Sequence, residues 1–188
     1  MKVIALTGWS GSGKDTLATI LAYQGCARFA FAEPLKDVAS QLFGFPRDWA
    51  DTQEGKRTLW RVGYNTKTVR DILLDFAKLD RERFGDDIYA RETIQKFANV
   101  DPNRTIVITD LRYPVELQAL FEYQNQTGCE FEIWRVLREG QTESPVNHPS
   151  EHLLDNLTAT RTIVNPGTTV EEFQERVFSL LSNELSHS

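Results

Sequence analysis

The 188 residues leave room for one sizeable core, and the composition gives no sign of a second, so a single domain spanning residues 1–188 is expected. A formal net charge of -6 and an isoelectric point near 5.2 exclude a broad basic face, and with it a general grip on a nucleic acid polymer. Small molecules are the expected partners. Cys26 and Cys129 are too few and too far apart for a metal cluster and suit free thiols in a reducing compartment. No apolar run is long enough to span a membrane, and Met1-Lys2 leads directly into a strand. A cytoplasmic chain is expected, in the host cytoplasm if the source is viral.

In chain order, Val3-Ile4-Ala5-Leu6 reads as a buried strand and runs into Gly8-Trp9-Ser10-Gly11-Ser12-Gly13-Lys14-Asp15-Thr16. Leu17, Ile20 and Leu21 then keep helical spacing from Thr16 to Tyr23, with Gly25 as the stop. A short apolar strand is predicted over Ala27–Ala32. Pro34 suits the first turn of a helix over Leu35–Phe43, ended by Gly44 and burying Leu35, Val38, Ala39 and Leu42. From Phe45 to Asn65 no period holds, and this stretch reads as a mobile or substrate-facing loop. Val69, Ile72, Leu73, Phe76 and Leu79 restore a helical stripe over Thr66–Arg83, stopped by Gly85, and a second helix is predicted over Asp86–Ala98. The region from about 45 to 100 thus reads as a helical and loop insertion that binds substrate.

Thr105–Asp110 is a buried strand ending in an acid, followed by a helix that starts at Pro114 and carries Leu117, Leu120 and Phe121. Glu130–Leu137 is the next strand and Arg138–Pro149 a polar, lid-like loop, the lid running from about 138 to 150. Arg161–Val164 makes a last strand, Asn165-Pro166-Gly167 a turn, and Val170, Phe173, Val177, Leu180 and Leu181 the stripe of a closing helix. Strands that alternate with helices imply parallel units covered on both faces, with ligands at the carboxyl ends of the strands. The predicted fold is a three-layer α/β/α domain around a mostly parallel, five-stranded sheet.

Gly8 and Gly13-Lys14 have the spacing of a phosphate-binding loop, in which main-chain N–H groups and a helix N-terminus surround a polyphosphate while the lysine reaches its outer phosphates. The residue after the lysine is Asp15, and the hydroxyl comes one place later at Thr16. An acid beside several phosphates needs a cation: Mg2+ held with Thr16, a task on the acceptor side of the γ-phosphate, or a side chain that points away and only complements the helix dipole. Asp110 ends its strand as a metal-side or substrate-side acid does, or else caps the following helix. Transfer to a hydroxyl needs a proton acceptor, whereas transfer to a phosphate needs cations that let two anions approach. Arg70, Arg112, Arg135 and Arg138 are placed for the second. His148 and His152 stand four apart, but Pro149 between them speaks against a shared face and a two-histidine metal site.

Several segments together resemble the bacteriophage deoxynucleoside monophosphate kinase family, of the nucleoside monophosphate kinase-like group with a P-loop kinase fold. They are Gly11-Ser12-Gly13-Lys14-Asp15-Thr16, Phe31-Ala32-Glu33-Pro34-Leu35-Lys36, Arg70 with Leu73, and Asp110-Leu111-Arg112-Tyr113-Pro114-Val115-Glu116. The resemblance implies ATP as donor, Mg2+ as cofactor and a deoxynucleoside 5'-monophosphate as acceptor. It implies that Gly11 to Thr16 bind ATP and that Thr16 and Asp15 hold the metal. Lys14, Asp15, Arg112 and Arg138 would act at the transferring group. Lys36, Arg70, Asp110, Arg112 and Glu116 would hold the acceptor, and Tyr89 would stack on its base. A phosphomevalonate or dephospho-coenzyme A kinase-like enzyme, or a non-catalytic ATP-dependent binding module, shares the loop and remains an alternative; a homodimer is compatible with all of these.

Overall fold

The computed structural model describes residues 1–144 and 152–185, with side chains as far as residue 181. Its elements in chain order are β1 (Lys2–Thr7), α1 (Lys14–Tyr23), β2 (Ala27–Phe29), α2 (Ala32–Phe43), α3 (Gln53–Arg57), β3 (Leu59–Val62), β4 (Asn65–Thr68), α4 (Val69–Phe84) and α5 (Ile88–Gln95), followed by β5 (Ile106–Ile108), α6 (Pro114–Thr127), β6 (Glu130–Arg138), β7 (Arg161–Asn165) and α7 (Val170–Leu185). Short 3-10 turns cover Arg47–Ala50 and Lys96–Asn99. The chain packs as two compact units, Met1–Ala30 with Phe97–Ser188, and Phe31–Lys96. Among the described residues no helix is long and apolar enough to cross a membrane.

The first unit is built on a five-stranded sheet in the order β2-β5-β1-β6-β7, with every pair parallel. β1 sits at its centre, which is why Val3 to Leu6 are all buried rather than alternating. Ile4 and Leu6, with Val107, Trp134, Val136 and Ile163, pack against Leu17, Ile20 and Leu21 of α1 and Phe173 and Val177 of α7. α6 starts at Pro114, where a missing N–H costs nothing, and ends at Gly128 in the left-handed conformation. It buries Leu120, and its Phe121 meets Phe131 of β6 edge-on.

Within the same unit a buried acid is kept charged by its partners. Glu132 accepts hydrogen bonds from Lys2 and from the Trp134 indole, with Arg161 at 3.3 Å. Burial pushes its carboxyl pKa up, but those three partners outweigh burial and hold it below the ordinary value.

In the second unit Ala39, Phe45, Ala50, Val69, Ile72 and Leu73 form a core, flanked by Trp49 and Trp60 in edge-on contact. Here the structure corrects the sequence reading in several places. Phe45–Asn65 is not an unstructured loop: it folds as a 3-10 turn, α3 and the first strand of the β3–β4 hairpin, and the Trp60 indole donates to the Phe43 carbonyl at 2.8 Å. These pieces are too short to show a period and are fixed by aromatic packing. Residues 66–68 belong to β4, and α4 begins at Val69 because Thr68 and Asp71 form a reciprocal cap. α2 begins at Ala32, three residues earlier than predicted, and shortens β2. Its buried residues are Pro34, Ala39 and Ser40, whereas Val38 and Leu42 are 50% and 63% exposed. Leu79, Phe121, Val170 and Leu180, read as core, are exposed as well.

Candidate functional site

The turn from β1 to α1 carries the phosphate loop at the carboxyl end of the central strand. Gly8 and Gly13 are required there by space as well as conformation. Their φ angles are +133° and +107°, and an added Cβ would lie 2.2 Å from the Val136 carbonyl oxygen at Gly8 and 2.4 Å from the Asn165 amide nitrogen at Gly13. Lys14 is only 7% exposed, and its ammonium donates to the Gly8 and Trp9 carbonyls at 2.6 and 2.8 Å. The cation is thus stored against the loop itself. The hydroxyl of Ser12 is buried without a hydrogen-bond partner, which leaves a polar group for a ligand to satisfy. Thr16 lies half-buried in the first turn of α1.

Asp15 is placed differently from its neighbours. Its carboxylate is 83% exposed and pairs with Arg28 of β2 at 2.9 Å. Arg28 is thus a cation that the structure sets beside Asp15. Arg28 itself was not singled out in the sequence, since nothing local links it to the loop.

Asp110 follows β5, and the Leu111 N–H donates to the Leu6 carbonyl, which ties this turn to the end of β1. Glu116 is buried and accepts from the N–H groups of Arg112 and Tyr113 at 2.8 and 2.9 Å. Its carboxylate therefore fixes the main chain under Arg112. Arg112 lines a shallow cleft with Thr7, Gly8, Arg135 and Asp155. Arg135, read as a strand-end cation, instead points its guanidinium at the carbonyls of Leu154 and Leu157 at 2.8 and 2.7 Å and ties that segment to β6.

Asp155 takes a hydrogen bond from the Trp9 indole at 3.0 Å and pairs with His152 at 2.7 Å. His152 is thereby engaged with a carboxylate, and His148 and His187 lie outside the described residues, as does the stretch 145–150 of the lid-like loop. The described part of that loop reaches the phosphate loop: Arg138 donates to Gly11 and Gly167 carbonyls at 3.4 and 3.1 Å, and Gln141 to the Ser10 carbonyl at 2.9 Å.

The remaining candidates belong to the second unit. Arg70 donates to Gln53 at 2.7 Å. Lys36 pairs with Glu33 and Asp51; burial works against its charge, but these two carboxylates outweigh it and raise its pKa. Tyr89 is buried, donates to Asp80 at 2.9 Å and has Arg81 over its ring. Burial first, and the hydrogen bond to the Asp80 carboxylate next, raise its phenol pKa. A base could stack on this ring only if that packing opened.

For magnesium, the oxygen donors of Thr16 and Asp110 are chemically suitable. Among the described residues no group of three or more His, Cys, Asp or Glu forms a metal cage. Magnesium is ordinarily held by one or two protein oxygens together with substrate phosphates, so this donor set fits it.

No protein-family model and no curated protein matches this sequence. Solved structures do resemble it. TT1252 from Thermus thermophilus is 19% identical with a TM-score of 0.50, covering 97% of each chain. The Mycobacterium tuberculosis APS kinase CysC in complex with AMPPNP and APS is 14% identical with a TM-score of 0.45, covering 96% of this chain and 97% of that one. A cysteine-to-alanine mutant of the same enzyme gives 14% and 0.42, with 96% of each chain covered. At such identities the likeness is one of fold. The parallel sheet with β1 at its centre and the phosphate loop between β1 and α1 is a P-loop kinase-like α/β fold.

Proposed function

We propose that the chain transfers the γ-phosphoryl group of ATP to a small acceptor that itself bears a phosphate, a deoxynucleoside 5'-monophosphate, giving ADP and the deoxynucleoside diphosphate. The observation that carries this reading is that Arg112 lines one cleft with Thr7 and Gly8, so a cation suited to an anionic acceptor adjoins the donor loop. The four segments that resemble the deoxynucleoside monophosphate kinases support the choice of acceptor.

In this reading the loop N–H groups and the N-terminus of α1 bind the triphosphate. Lys14 exchanges two neutral carbonyls for phosphate oxygens, and since its ammonium is already desolvated it meets charge developing in the transition state with little rearrangement. Arg138, beside Gly11, reaches the same phosphates. Arg112, its main chain fixed by Glu116, holds the acceptor phosphate. Lys36 organises its own unit through Glu33 and Asp51. Thr16 and Asp110 would hold Mg2+, which supplies charge neutralisation between the phosphates. Water must be kept out for transfer to prevail over hydrolysis, the role given to the lid-like loop.

The test is ADP release from ATP with a panel of ribo- and deoxyribonucleoside monophosphates, extended to phosphomevalonate and dephospho-coenzyme A. Stimulation by deoxynucleoside monophosphates is expected. Stimulation by one of the other phosphates alone would move the acceptor, and ATP binding with no stimulation by any would contradict a kinase.

A further inference from the structure

Three consecutive carbonyls of the phosphate loop are each met by a side chain from the far end of the sequence. Ser10 O accepts from Gln141 Nε2 at 2.9 Å, Gly11 O from Arg138 Nη1 at 3.4 Å, and Ser12 O from Asn165 Nδ2 at 3.0 Å. Asn165 is the best held of the three. It ends β7, is 8% exposed, and uses the other end of its amide to accept from the Gly167 N–H at 3.0 Å. Its own main-chain carbonyl accepts from Glu139 N–H at 2.9 Å. With both ends of the amide engaged and the backbone fixed, the side chain has one orientation.

A trans peptide is planar, and its C=O and N–H point in opposite directions. Fixing Ser12 O toward Asn165 therefore turns the Gly13 N–H the opposite way, and fixing Ser10 O toward Gln141 does the same for Gly11 N–H. Gly13 accepts this only because it is glycine: its φ is +107°, and Asn165 Nδ2 fills the place of a side chain.

We infer that Asn165, assisted by Gln141, is a positioning residue of the donor site: by holding the carbonyls of Ser12 and Ser10 it aims the Gly13 and Gly11 N–H groups at the phosphates before nucleotide arrives. This rests on the reading of Gly8–Thr16 as an ATP site. It accounts for a buried amide at a strand end where an aliphatic residue would serve the core better, since an amide alone offers a donor to Ser12 and an acceptor to Gly167. Preorganised donors save the reorganisation that a floppy glycine loop would need on binding.

The experiment is titration of the full chain with ATP and with inorganic tripolyphosphate, alongside the Gly13 amide resonance and ligand-free melting. In the wild type the Gly13 amide proton is expected to move downfield when either ligand binds. Asn165→Asp keeps the shape and the acceptor for Gly167 but sets one acceptor against another at Ser12. It should weaken both ligands about tenfold, the scale of one lost hydrogen bond at its upper range, and abolish the Gly13 shift. Wild-type affinity with the shift intact would overturn the proposal. If Asn165→Asp melts far below the wild type, Gln141→Leu decides, on a less buried side chain: about threefold weaker binding at unchanged melting supports the proposal, and unchanged binding overturns it. A wild-type chain that binds neither ligand would instead overturn the ATP site itself, and the positioning role with it.

Discussion

Around Gly8–Thr16 four polar side chains donate to main-chain carbonyls, whereas in the second unit a cluster of charged side chains is paired within itself. Lys14, Gln141, Arg138 and Asn165 all donate to loop carbonyls. In the other unit Arg47 contacts Glu33, Asp37 and Asp51, and Lys36 contacts Glu33 and Asp51. The first arrangement fixes the direction of peptide groups, which is what an anion site made of N–H donors needs. The second fixes the spacing of charges on a surface and is open to screening by salt. The donor loop should therefore be insensitive to ionic strength in its own geometry, and the second unit should not.

Four substitutions sharpen this contrast, in descending order of effect. Lys14→Ala should lower turnover by at least about a hundredfold, the scale of losing one organised charge stabiliser, with melting nearly unchanged. Near-normal turnover would remove the phosphate loop from the chemistry. Arg112→Ala should raise the acceptor KM about tenfold while leaving the ATP KM within about twofold, since the lost contact is a charged hydrogen bond to one substrate. The opposite ordering in steady-state kinetics would assign Arg112 to the donor.

Arg47→Ala acts on stability. It leaves Glu33, Asp37 and Asp51 close together with one cation fewer, and a loss of about 1 kcal/mol is expected in urea unfolding, shrinking in high salt. Asp51 adds a pH signature. Burial raises its carboxyl pKa, but Lys36 and Arg47 outweigh burial and lower it in the folded chain. Such a group adds stability above the unfolded value, about 3.9, and loses it as the pH falls through the lower folded value. The acid limb of a stability profile should flatten in Arg47→Ala. A profile and salt response equal to the wild type would mean that the network is ornamental.

Asp15→Asn should have the smallest effect, under about twofold on turnover at saturating magnesium, because an exposed pair with Arg28 is screened by water. A large rise in the magnesium requirement would return Asp15 to the metal.

The strands β1 and β5 were legible because a buried parallel sheet writes continuous apolar runs, β6 because its apolar residues partly alternate, and the phosphate loop because its glycines and lysine lie close together in sequence. Asn165 and Gln141 were not legible as partners of the loop. They stand 153 and 131 residues from the carbonyls they hold, and in sequence each reads as an ordinary turn or loop residue. Asp15 shows a different limit: its pairing with Arg28 was not legible, because it depends on β2 lying beside α1. The second unit hid its order because Trp49, Trp60 and Phe45 stabilise pieces of four or five residues, shorter than any period.

The central claim is that the group moved is the γ-phosphoryl of ATP and that its acceptor is a phosphate. ATP labelled only in the γ-phosphate, incubated with the full chain, magnesium and a deoxynucleoside monophosphate, tests it directly. The label should appear on the terminal phosphate of the deoxynucleoside diphosphate, in step with ADP. Label recovered only as inorganic phosphate, at a rate indifferent to the acceptor, would contradict it.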